Sequence, residues 1–139
     1  MKPDMSGFAE PYRRLRTTPT DPNPAHHSGL CPGIFGAGSF DHVGYEGMCM
    51  FKANGRYYLG CADACDGRYS CYIAEAPSIY GPYGARYEAL PHAGHNVFFK
   101  DELGAWWSTY FGSDDAAPWR ERPGILPIRF DEQGRVGPE

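Results

Sequence analysis

The chain lacks any apolar run of the roughly 18 residues that a membrane-crossing helix needs. It also lacks a basic excess: 13 Lys and Arg stand against 17 Asp and Glu, for a net charge of −4. That balance argues against a nucleic-acid partner, because a phosphate backbone calls for a basic face. Residues 1–10 do not show the charged-then-apolar layout of a secretory signal, so the sequence as written reads as cytoplasmic with no membrane partner. Long helical patterns are missing, since 18 Gly and 13 Pro in 139 residues break the chain too often. An even cysteine count is missing as well: Cys31, Cys49, Cys61, Cys65 and Cys71 leave at least one thiol unpaired. Cys61-x3-Cys65-x5-Cys71 fits no common zinc spacing and has no histidine nearby in sequence. These cysteines read as small buried thiols, with zinc the lesser reading.

What is present is 42% apolar and 15% aromatic, enough for a packed core in a chain of about one domain. Met48 to Lys52 is a short apolar run between Gly47 and Asn54-Gly55, and Asn-Gly is a strong hairpin signal. Arg56 to Ala62 is the expected return strand, Tyr69 to Ala74 a third, and Arg86 to Leu90 a short outer fourth. The pattern restarts with Asn96 to Lys100, Ala105 to Phe111, Ile125 to Phe130 and a last strand from Arg135. Lys52 and Lys100 lie 48 residues apart, and Tyr57-Tyr58 and Trp106-Trp107 lie 49 apart, because the second turn is one residue longer. Short strands in units of four that recur at such a period are the signature of propeller blades. A sandwich also offers short strands, but it would not repeat Phe-Lys-turn-Gly-x-aromatic-aromatic.

The expected fold is all-β: a partial β-propeller of about two four-stranded antiparallel blades plus one outer strand of a preceding blade. Its boundaries fall at 1–44 (that outer strand, Phe8 to Leu15, and a long loop holding His26 and His27), 45–93 and 94–139.

Glu46-Gly47-Met48, Lys-x-x-Gly-x-Tyr-Tyr-Leu and Gly94-His95-Asn96-x-Phe-Phe-Lys-Asp-x-x-Gly-x-Trp-Trp resemble successive blades of glycoside hydrolase family 43. Ala76-Pro77-Ser78-x-x-Gly-Pro-Tyr and Ile128-Arg129-Phe130-Asp131 resemble later segments of the same family, and the resemblance covers about 42–136. It implies a five-bladed propeller with a carbohydrate site at one mouth of its channel. It further implies inverting hydrolysis of O-glycosidic bonds in xylosides, arabinofuranosides and arabinans, with an oligo- or polysaccharide as partner. Such chemistry needs an acid for the leaving oxygen and a base for water on the opposite face.

By this resemblance Glu46 is the general acid, and its place at a strand end would let neighbouring carboxylates and partial burial raise its pKa. His95 would face substrate, or a channel-bound Ca2+ or other cation through water. Arg122 in preference to Arg120 would meet sugar hydroxyls, and Tyr45 and Phe35 would form a stacking wall. Tyr57, Tyr58, Trp106 and Trp107 are expected to pack between blades.

The base and a second, pKa-tuning carboxylate come in that family from aspartates opening two earlier blades, and no aspartate here opens an inner strand in that way. Met1 then reads as an internal start, the chain as a C-terminal portion of an enzyme, and hydrolysis by the isolated chain is not expected. A non-catalytic carbohydrate-binding or assembly module is the alternative. A related glycoside phosphorylase would need a basic phosphate site that the sequence does not show. Open sheet edges predict self-association.

Overall fold

The computed structural model describes residues 3–4, 6–15, 17–18, 43–65, 68–117 and 120–139. The described residues form ten strands and no helix: β1 Thr17–Thr18, β2 Glu46–Ala53, β3 Arg56–Cys65, β4 Arg68–Ala76, β5 Tyr83–Ala85, β6 Tyr87–Leu90, β7 Phe98–Lys100, β8 Trp106–Phe111, β9 Pro123–Phe130 and β10 Val136–Pro138. Two four-stranded sheets carry the architecture, β2-β3-β4-β6 and β7-β8-β9-β10, each antiparallel throughout. These are the two expected blades of a partial propeller. Inner strand β2 lies against inner strand β7, and outer strand β6 against outer strand β10.

The first hairpin closes at Asn54 (φ 49°) and Gly55 (φ 76°), a pair in the left-handed region as a two-residue turn matched to strand twist requires. In the second sheet the Asp101 carboxylate closes the longer turn by accepting from the Leu103 and Ala105 amides, both at 2.9 Å.

The sheets meet over an aromatic core. Phe51 stacks on Tyr58 (centroids 4.9 Å apart) and on Phe98 (4.6 Å), and Trp106 meets Phe130 edge-on at 5.6 Å. Tyr58 is completely buried, and its hydroxyl donates to the Gly134 carbonyl at 2.9 Å.

Of the four aromatics expected between the blades, only Tyr58 and Trp106 belong to this core. Successive strand residues point to opposite faces. Tyr57 therefore lies on the other face under the Lys52 ammonium (5.1 Å), and the Trp107 indole N–H donates to Asp101 at 2.8 Å. In stacked repeats one face of each sheet meets the opposite face of the next, so the Phe51–Tyr58 face of the first sheet meets Trp106, the counterpart of Tyr57, with Phe51 and Trp106 5.4 Å apart. The outward face of the second sheet leaves Val97, Phe99 and Ile125 exposed.

The outer face of the first sheet buries Leu59, Cys61, Tyr72, Ala74 and Tyr83, with Leu15 and Met50 packed against them. Cys61 and Cys71 are buried free thiols on opposite faces of this sheet. Burial pushes the Cys61 thiol up to about 12 and Cys71 well above its ordinary value, which leaves both unreactive.

The expected strand at Phe8 to Leu15 does not form. Residues 8–15 join no ladder; Thr17–Thr18 pairs instead, parallel to β5, with Thr17 opposite Tyr83. Pro11 removes a ladder donor, and Phe8 and Tyr12 leave their rings exposed rather than burying a common face.

Candidate functional site

Glu46 opens β2 at the end of the first sheet where β3 turns into β4. Glu46 pairs with Ala62, whereas Cys49 pairs with Gly60, so β2 carries one extra residue. That bulge breaks the strict alternation and aims Glu46 out of the sheet. Gly47 makes it possible: its φ is +60°, and a Cβ there would lie 2.9 Å from His95 Cα and 3.0 Å from His95 Cγ. His95 itself has φ 56°, unusual for a residue with a side chain. Strain of this kind gathers at functional sites.

The approach to Glu46 is anchored by a buried ion pair. Arg86 Nη1 lies 2.6 Å from Asp63 Oδ2 and donates at 2.6 Å to the Val43 carbonyl, and the two side chains are only 6% and 3% exposed. The guanidinium also stacks on Tyr72 at 4.4 Å. A buried pair this well hydrogen-bonded fixes geometry more than it adds stability. Here it holds the segment that delivers Tyr45 and Glu46.

Tyr69, near the start of β4, joins the two sheets at this mouth. Its hydroxyl lies 2.6 Å from Glu46 Oε1 and 2.9 Å from His95 Nδ1, and Glu46 Oε1 and His95 Nδ1 are 3.7 Å apart. The residue is 5% exposed, and its ring lies so close over Gly94 that a Cβ there would overlap it. Burial, and then the hydrogen bond to Glu46, push the phenol far above its ordinary pKa, so Tyr69 stays protonated.

Behind it, the Tyr69 amide donates to Asp114 Oδ2 at 2.8 Å, the Ala116 amide to Oδ1 at 3.0 Å, and His92 Nδ1 to the same carboxylate at 2.8 Å. Burial alone would raise the Asp114 pKa, but the bonds from Tyr69, His92 and Ala116 outweigh it and hold it below the ordinary carboxylate value. A depressed carboxylate stabilises the fold above its unfolded pKa of about 3.9 and loses that contribution as pH falls through the lower folded value. Asp114→Asn is expected to cost about 1–3 kcal/mol at neutral pH, and the gap to wild type should close below about pH 4. Urea denaturation across that range checks it; a gap unchanged by pH would contradict it.

An open cavity of about 500 Å³ lies at this mouth, lined by Tyr45, Glu46 and Tyr69 from the side of the first sheet and by His95, Phe111 and Pro123 from the side of the second. Of the residues expected at the site, Tyr45, Glu46 and His95 come together here. Arg120 and Arg122 are exposed and do not line the cavity; Arg120 pairs with Asp115 and lies 3.7 Å from Glu121. Phe35 lies outside the described residues.

Tyr69 was missed, yet its signal was in the register. Counting back from the β3–β4 turn sets Tyr69 opposite Ala64, two residues beyond the Ala62 that pairs with Glu46.

Among the described residues no group of three or more His, Cys, Asp or Glu is placed to hold a metal ion. With Nδ1 engaged by Tyr69, His95 keeps one nitrogen for the cavity. A cation there would need donors from elsewhere, water included.

No protein-family profile matches the chain, and no curated protein does. Solved structures do. An exo-1,5-α-L-arabinanase from a bovine ruminal metagenomic library superposes with a TM-score of 0.56 at 19% identity, over 66% of this chain and 37% of that one. The xylan β-1,4-xylosidase of Bacillus halodurans C-125 gives 0.53 at 20% identity, over 81% and 26%. A mutant of the GH43 protein BlXynB from Bacillus licheniformis gives 0.54 at 19% identity, over 72% and 24%. The chain thus spans no more than about two fifths of the structures it matches. In fold, it is a match to part of the all-β propeller architecture of family 43 glycoside hydrolases.

Proposed function

We propose that the chain contributes the general acid, Glu46, to a glycoside hydrolase site for O-glycosidic bonds of arabinose- or xylose-containing plant polysaccharides. The observation that carries this is Glu46 itself: its side chain is 40% exposed, opens on a 500 Å³ cavity, and has one oxygen held by Tyr69 on a fold shared with arabinanases and xylosidases. In the step proposed, a protonated Glu46 gives its proton to the glycosidic oxygen as the bond from that oxygen to the anomeric carbon breaks. Water attacks the anomeric carbon from the opposite face and gives its proton to a second carboxylate acting as base, which inverts the carbon. Tyr45 offers a ring to a sugar face, and His95 a polar group.

A second reading, a non-catalytic sugar-binding or assembly module, is favoured by one observation: Glu46 is the only carboxylate among the described residues lining the cavity. Inverting hydrolysis needs two. We place the second carboxylate outside the described residues, and self-association through open sheet edges is a further part of the proposal. The hydrolase and sugar-binding readings require sugar in this cavity and the assembly reading does not, which titration with arabino- and xylo-oligosaccharides tests; hydrolysis separates the first two.

A further inference from the structure

We propose that Tyr69 is a positioning residue that fixes where the protons of this site reside: it reserves Oε1 of Glu46 as an acceptor, so that the transferable proton belongs to Oε2, and it holds His95 as the Nδ1–H tautomer. The inference deepens the glycosidase reading and rests on it for its consequence in catalysis, but its geometry does not.

A phenol has a single proton to donate, and its oxygen can accept in return. Both neighbours of the Tyr69 hydroxyl are polar and within bonding distance, at 2.6 Å and 2.9 Å. An ionised carboxylate can only accept, so the one proton goes to Glu46 Oε1. The Tyr69 oxygen is then left to accept, and the partner at 2.9 Å must donate: His95 Nδ1 carries hydrogen. A neutral imidazole with Nδ1 protonated has a bare lone pair on Nε2. The His95 side chain is 52% exposed and lines the cavity, so Nε2 is a hydrogen-bond acceptor for a ligand hydroxyl.

The same pattern survives when Glu46 is protonated. With Oε1 already taken by Tyr69, the carboxyl proton resides on Oε2, which receives no hydrogen bond from the described residues. The oxygen that must hand over a proton is the one without a competing donor. Nothing in the network has to turn when the proton leaves, which is what preorganisation of an acid requires.

The structure supports a fixed arrangement rather than a chance contact. Tyr69 is held by its ring against Gly94 and by its amide on Asp114; His95 is held over Gly47.

The test is long-range 15N correlation spectroscopy of the His95 ring in the intact chain at about pH 8, above the ordinary histidine range. Wild type is expected to show a protonated Nδ1 and a bare Nε2. Tyr69→Phe keeps the ring over Gly94 and removes the hydroxyl, and the two nitrogens are expected to exchange character toward Nε2–H. Glu46→Gln retains an acceptor oxygen and is expected to keep the wild-type tautomer. Added arabinotriose or xylotriose is expected to shift Nε2, and Tyr69→Phe to weaken that binding about 3- to 10-fold, the worth of one hydrogen bond.

An Nε2–H tautomer in the wild type, or the same tautomer in Tyr69→Phe, overturns the proposal without reference to any variant's activity. If the tautomer is as expected but no sugar binds, the glycosidase reading fails and the proton arrangement stands.

Discussion

Tyr58→Ala is expected to remove about 3–5 kcal/mol of stability, the cost of truncating a fully buried aromatic. Tyr58 has no exposed surface, stacks on Phe51, meets Phe130 edge-on and ties the second sheet down through the Gly134 carbonyl. A domain of this size has about 5–15 kcal/mol in all, so the loss takes a large part of it. Tyr58→Phe keeps the ring and leaves the Gly134 carbonyl without its donor, for about 1 kcal/mol.

The repeat supplies a control. Trp107 occupies the position that corresponds to Tyr58, but on the outward face of the second sheet, where its indole N–H bonds Asp101. Trp107→Ala is expected to cost about 1 kcal/mol, the worth of that bond. Urea midpoints read all three variants. Equal losses at Tyr58 and Trp107 would mean that the two sheets do not stack as described.

Much of this arrangement was legible in the chain. Asn54-Gly55, the paired lysines and the paired aromatics are local signals, and they located both inner hairpins to within a few residues. Which aromatics face the interior was not legible, because that depends on which face of one sheet meets which face of the next. The first strand was misplaced because the run Phe8 to Leu15 is apolar enough for a strand, whereas Pro11 and the lack of a common buried face decide against one.

At the site, Tyr45, Glu46 and His95 converge as expected because each sits at the opening of an inner strand. Tyr69 comes from the next strand but one, and only the pairing register, bulge included, brings it to Glu46. Asp114 and the Arg86–Asp63 pair carry no such register signal, since they join residues 45 and 23 apart in sequence through side chains.

Glu46→Gln is expected to slow glycoside hydrolysis about 10²- to 10⁴-fold wherever the cavity is completed by a second carboxylate. The amide keeps the shape and can still accept from Tyr69, but it has no proton to give. The loss corresponds to about 3–5 kcal/mol of transition-state stabilisation. It should fall on substrates whose leaving group needs a proton, such as an alkyl arabinofuranoside or xyloside. A dinitrophenyl glycoside, whose leaving group departs as an anion, should lose far less. Equal rates in wild type and variant on the poor leaving group, or equal losses on both substrates, would remove Glu46 from the role of acid.

Beneath all of this lies one claim, that the mouth shared by the two sheets is a sugar site. Titration of the isotope-labelled chain with arabinotriose and xylotriose, followed residue by residue in solution, tests it without requiring turnover. Saturable shifts centred on Tyr45, Glu46, Tyr69 and His95, weakened in Tyr69→Phe, are the predicted result. An unchanged spectrum at those residues, or shifts centred instead on the groove between Tyr12, Met50 and Tyr80, would contradict it.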